Sequence, residues 1–169
     1  MGTRGLFGFH YKGKYYLIYN HSDSYPEALG ADLVNQIKQA IKSGLLEEWK
    51  NKVLELEDIK GTVPTKKQIK FLETTTLYLG DNTTDWYRLL HDTQGSLQNM
   101  LNAKYFESYT NDYSKPRVID TDIEYYYVLN LDTYELDFYD CNNDCACSFN
   151  LDDLPKWGWE EKEEEKEEE

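Results

Sequence analysis

No run of apolar residues in this chain is long enough to span a bilayer, and no signal-peptide h-region follows Met1. The expectation is a soluble, intracellular protein with no membrane partner. Gly2 follows Met1, but Leu6 stands where a myristoylated start needs Ser or Thr. Cysteine is scarce: the three are Cys141, Cys145 and Cys147, an odd number with no secretory leader, which argues against a disulfide framework. Basic residues are also few, 18 Lys and Arg against 32 Asp and Glu, for a net charge of −14. Phosphate binding works by displacing counterions with Lys and Arg, so direct nucleic-acid binding is disfavoured. Walker A, Rossmann, His-Glu-x-x-His and Gly-x-Ser-x-Gly patterns are all missing. No cofactor is expected.

What is present is a chain of 169 residues, 40% hydrophobic, with 15 Tyr, 6 Phe and 4 Trp. That suffices for one core without disulfides or metal. So many tyrosines exceed what a core absorbs, because each buried hydroxyl needs a partner, so some belong at a surface or interface. The acidity divides in two. Eight Glu and two Lys between Glu160 and Glu169 carry −6, which leaves −8 on the body. The reading is a single α+β domain over residues 1–156 and a Trp/Glu-rich acidic tail over 157–169.

The first hairpin is plain: Leu6 to Tyr11 and Tyr15 to Asn20 flank the turn Lys12-Gly13. Gly5 and Gly8 suggest a bend or the close approach of another backbone. After Pro26 the period becomes helical, with Leu33, Val34, Ile37, Ala40 and Ile41 on one face up to Gly44. A second helix carries Leu45, Leu46, Trp49, Val53 and Leu56. A third starts at the capping box Thr65–Gln68 and carries Ile69, Leu72 and Leu79. The fourth is expected from Thr84 to Asn102, with Gly95 inside it. Tyr105 to Thr121 reads as loop. Ile123, Tyr125, Tyr127, Leu129 and Leu131 then share one strand face, and Leu136 and Phe138 face inward from the next strand. A short last strand covers Cys147 to Leu151. The expected architecture is an antiparallel sheet made from the N- and C-terminal hairpins, with about four helices inserted between them and packed on one face.

Thr3-Arg4-Gly5, followed by Tyr19-Asn20-His21-x-Asp23-Ser24-Tyr25-Pro26-x-x-Leu29-Gly30, resembles a family of uncharacterised proteins of fungi and large, marseillevirus-like DNA viruses. Some phage proteins carry a similar Thr-Arg start and His-x-Asp-x-Tyr-Pro stretch. Tyr127 to Asp132, and Phe149-x-Leu151-x-x-Leu154-Pro155, are similar to the same family, so the likeness covers about a third of the chain. It implies no assigned activity, catalytic residue or cofactor. It does imply a viral setting, with the host cytoplasm, nucleus or viral factory as the compartment. The cysteine cluster and Glu tail lie outside the shared pattern.

The candidate site is the end of the first hairpin. Asn20, His21, Asp23 and Tyr25 leave the second strand there, and register brings Arg4 close to them. His21 with Asp23 as its orienting carboxylate is a candidate catalytic pair for a small hydrolase or ligand-binding enzyme. Arg4 beside the helix start near Gly30 suits an anion. Against these, Asp, Ser and Asn ahead of a helix are ordinary turn and capping residues. Trp157 and Trp159, next to the Glu run, form a candidate protein-binding anchor; the alternative is that one Trp packs back on the domain. Cys141, Cys145 and Cys147 are weak candidates for zinc, since their spacing matches no standard knuckle. The leading expectation is an interaction module that binds a basic partner, such as a nuclear or histone-like protein, or that self-associates.

Overall fold

The computed structural model describes residues 3–75, 85–108, 123–141 and 145–157. The first hairpin joins β1 (Gly5–Tyr11) to β2 (Lys14–Asn20). Its two-residue turn places both Lys12 and Gly13 at positive φ, 50° and 76°, the twist that matches a right-handed ribbon. The second hairpin joins β5 (Tyr125–Asn130) to β6 (Glu135–Asp140), and β7 (Cys145–Asn150) adds antiparallel to β6. One five-stranded sheet results, in the order β2-β1-β5-β6-β7.

The α+β class holds, but the two hairpins meet in parallel: Gly5 pairs with Tyr125 and His10 with Asn130. The sheet is therefore mixed, not wholly antiparallel. Alternating patterns set which face a strand residue occupies but are silent on strand direction. Both ends of the parallel pair are held by carboxylates. Glu124 Oε2 accepts the Arg4 N–H at 3.3 Å, and Asp132 accepts from Lys12 and Gly13 N–H at 2.9 and 3.1 Å.

Between the hairpins run α1 (Ala31–Lys42), α2 (Leu46–Leu54), β3 (Glu57–Asp58), α3 (Lys66–Glu73), α4 (Trp86–Leu89), α5 (Leu97–Ala103) and β4 (Tyr105–Phe106). Thr65 and Gln68 close the expected capping box at α3. Leu79 lies outside the described residues. The long fourth helix is not formed. Asp85 caps a single turn, α4, a 3₁₀ turn follows at His91–Thr93, and Gly95 at φ 81° breaks the run before Ser96 caps α5. Tyr105–Phe106, expected as loop, is a buried strand paired in parallel with β3.

The main core lies between one sheet face and the helices α1, α2 and α5. It holds Phe7, Phe9, Ile18, Tyr127, Leu129, Leu131, Leu136 and Phe138 against Leu33, Ile37, Trp49, Val53 and Met100. Leu6, Leu17, Tyr126 and Val128 face the other way, and all are buried; Ile123 joins them instead of the helix-side face. A smaller cluster of Ile59, Leu72, Trp86, Leu89, Leu90, Ala103 and Tyr105 ties α3 and α4 to the β3–β4 pair.

Trp157, assigned by sequence to the tail and to partner binding, packs back on the domain. Its ring lies 5.8 Å from Tyr127, 5.1 Å from Phe138 and 5.7 Å from Phe149. Gly30 is glycine to admit it: a Cβ there would sit 2.7 Å from the indole. Trp159 lies outside the described residues. Replacing Trp157 by Ala strips this aromatic contact from a half-buried position and is expected to destabilise the fold by about 2 kcal/mol, read as a fall in the urea midpoint at unchanged m-value.

Candidate functional site

At the end of β2 the chain makes a knot of buried hydrogen bonds. Asn20 Nδ2 donates to Ser22 O and to Ser24 Oγ, both at 2.8 Å, and Ser24 Oγ donates to Asn20 O at 3.3 Å. Ser24 N–H donates to Thr3 O at 3.1 Å, and the Tyr127 hydroxyl donates to Ser24 O at 2.7 Å. Gly5 lies under this knot; a Cβ there would stand 2.7 Å from Ser24 Cβ and 3.1 Å from the carbonyl oxygen of Tyr125. Asp23 turns the chain at φ 53°, where Asp and Asn are among the residues that tolerate left-handed backbone, and its carbonyl accepts Leu29 N–H at 3.1 Å. Tyr25 and Pro26 lead into the helical turn Pro26–Gly30, with the Tyr25 carbonyl accepting Ala28 N–H at 3.0 Å. Most of the distinctive motif is therefore consumed in building the junction.

The catalytic pair is not assembled. Among the described residues no hydrogen bond or ion pair joins His21 to Asp23; His21 Nδ1 lies 2.9 Å from the Tyr19 hydroxyl. Both side chains are exposed, as is Tyr25. Arg4 is half-buried, and its backbone is tied to Glu124, its N–H to the carboxylate and its carbonyl accepting Glu124 N–H at 2.9 Å. The cysteines also part. Cys141 packs with the residues of one sheet face and Cys147 with those of the other. Among the described residues no group of three His, Cys, Asp or Glu is placed to hold a metal.

What His21 does meet is a cleft that the sequence does not announce. Its N–H donates to Gln94 Oε1 at 2.8 Å. Gln94 itself is positioned from α1: Gln36 donates to Gly95 O and accepts from Leu97 N–H, each at 2.8 Å. Gln94 is shared by two adjoining lobes. The polar lobe, about 520 Å³, is lined by Asn20, His21, Ser22, His91, Asp92 and Asn99. The other, about 460 Å³, is walled by Tyr19, Trp86, Tyr87, Phe106, Ile18 and Leu90, with Thr93, Lys60, Glu107 and Ser108 supplying polar atoms. Trp86 is fixed by its indole N–H donating to Thr62 Oγ1 at 3.2 Å, while Tyr87 is half exposed. Both volumes fall in the range of ligand pockets. Asp23 lines neither lobe.

His91 reads from sequence as an ordinary helix residue, and Trp86 as part of a helical core stripe. The only local sign of the cleft is Gly95, the break that lets the segment from α4 to α5 fold toward β2.

Two outcomes check the architectural role of the motif. Asn20→Leu strands Ser24 Oγ and the Ser22 carbonyl without their donor and is expected to lower stability by about 2 kcal/mol. Asp23→Asn keeps a residue suited to φ 53° and is expected to change stability by less than about 0.5 kcal/mol. Burial pushes the Tyr127 phenol far above its ordinary range, with Tyr125, Glu27 and Asp140 adding to the effect. A pKa raised on folding means that the group's contribution is complete below about pH 10 and is lost above it, as the unfolded chain ionises first. Between pH 10 and 12 the wild type is expected to lose stability more steeply than Tyr127→Phe, by up to about 1.4 kcal/mol per pH unit, in parallel urea titrations.

No family model, curated protein or solved structure matches this chain.

Proposed function

We propose that this chain is an acidic protein-interaction module whose partner is a basic protein of nuclear or histone-like character. The observation that carries the reading is the open two-lobed cleft beside β2, aromatic on one side and polar on the other, on a body that holds −8 without its tail. Half-exposed Tyr87 and partly exposed Tyr19 rim a lobe floored by the buried rings of Trp86 and Phe106, and aromatic rings that flank fixed polar groups are the usual composition of a protein-binding hot spot. The −14 field raises the encounter rate with cationic partners and repels nucleic acid. The motif that resembles the fungal and viral family supports the same setting, a host or packaging protein as partner. Self-association is opposed by this charge at low salt.

The enzyme reading has less support. It needs His21 and Asp23 in contact, and His21 is engaged by Tyr19 and Gln94 instead. No helix among the described residues is long and apolar enough to cross a membrane.

The test uses the full chain and a variant that lacks Glu160–Glu169, which keeps Trp157 in its packed place. Association with a lysine-rich histone-type polypeptide is followed by stopped flow at low and high salt. The full chain is expected to bind about tenfold faster at low ionic strength, with the difference closing as screening shortens the reach of the tail. Equal, salt-insensitive binding by both forms, or none by either, rejects the proposal.

A further inference from the structure

Resting on that reading, we infer that the cleft takes a short segment of the basic partner with a large aromatic side chain next to a Lys or Arg. The aromatic residue enters the lobe walled by Trp86, Tyr87, Phe106 and Tyr19, and the cation enters the polar lobe beside Asp92.

The assignment of side chain to lobe follows from charge. Lys60 and Glu107 both line the aromatic lobe, so it offers a cation no net charge in a mostly apolar space. A neutral ring needs none and gains from edge-to-face contact with the half-exposed Tyr87 ring. The polar lobe offers the reverse. The Asp92 carboxylate, 45% exposed, and the amide groups of Asn20 and Asn99 line it, and these suit an ammonium or guanidinium. Protonated His91 would compete for Asp92, since its Nδ1 lies 3.6 Å from that carboxylate.

Gln94 links the two lobes. Its Oε1 is taken by the His21 N–H, which fixes the amide plane. Its Nε2 has no hydrogen-bond partner among the described residues, so an oriented N–H donor is left where the lobes meet. A main-chain carbonyl between an aromatic and a basic residue is the acceptor a bound peptide presents there. Successive side chains of an extended peptide point to opposite sides, so a main chain laid over the shared Gln94 sends neighbouring side chains into the lobes on either side of it.

The test is NMR titration of the ¹⁵N-labelled full chain with acetyl-Trp-Lys-amide, with acetyl-Ala-Lys-amide and acetyl-Trp-Glu-amide as comparison probes. Saturable shifts are expected at the Trp86 indole and the Gln94 side-chain amide with the first probe, in the millimolar range. The other two are expected to bind at least about fivefold more weakly. Tyr87→Ala is expected to erase the advantage of Trp over Ala, and Asp92→Asn that of Lys over Glu. Both positions are exposed, so thermal melts of the two variants should match the wild type. Three equivalent probes, or no shifts at cleft residues, overturn the inference. If that occurs while histone-type polypeptide binding stays salt- and tail-dependent, the interaction reading survives and the cleft loses its part in it. Loss of both removes both.

Discussion

The parallel pairing of β1 with β5 is the contact on which the rest of the molecule depends. It joins residues 120 apart in sequence, Gly5 to Tyr125, and turns two separate hairpins into one sheet. A lone hairpin is marginal in water, whereas five strands with a helix-covered face are not. Closing so long a loop costs only about 2 kcal/mol more than closing a ten-residue one, and the apolar burial it permits far exceeds that. Glu124 and Asp132, one at each end, supply acceptors to backbone N–H groups of the first hairpin and so fix the register.

The knot at the end of β2 follows from this pairing. Tyr127 on β5 reaches Ser24 only because β5 lies beside β1, and Gly5 lies under Ser24 for the same reason. Trp157 then packs against Tyr127 and Phe138 over Gly30, bringing the end of the described chain back to the start of the helical segment. A motif that looks like a reactive cluster in the linear sequence is thereby spent largely on architecture: buried Asn20 and Ser24, left-handed Asp23, and two glycines whose Cβ positions are occupied. His21 escapes that role and faces the cleft.

Much of the fold was legible. The hairpin turn at Lys12-Gly13, the capping box at Thr65 and Gln68, and the apolar faces of α1 and β5 are local signals, produced by periodicity and turn chemistry. Leu89, Leu90, Leu97 and Met100 keep helical spacing across Gly95, so periodicity predicts one long helix and does not reveal the positive φ that breaks it. Tyr105 and Phe106 carry no strand signal, because a two-residue strand leaves no period to detect.

By itself the sequence determined the α+β class, the hairpins, most helix positions, the acidity of body and tail, and the place where unusual polar residues gather. These depend on neighbours a few residues apart or on composition. Tertiary structure alone decided the parallel direction of the central pair, the packing of Trp157, the separation of Cys141 from Cys147, and the cleft that Gln94 joins. Each of these turns on which distant residues meet, and Gln94 lies 73 positions from the His21 it holds. A pairing across that distance is set by the packing of α1, α5 and the sheet together, which no local pattern encodes.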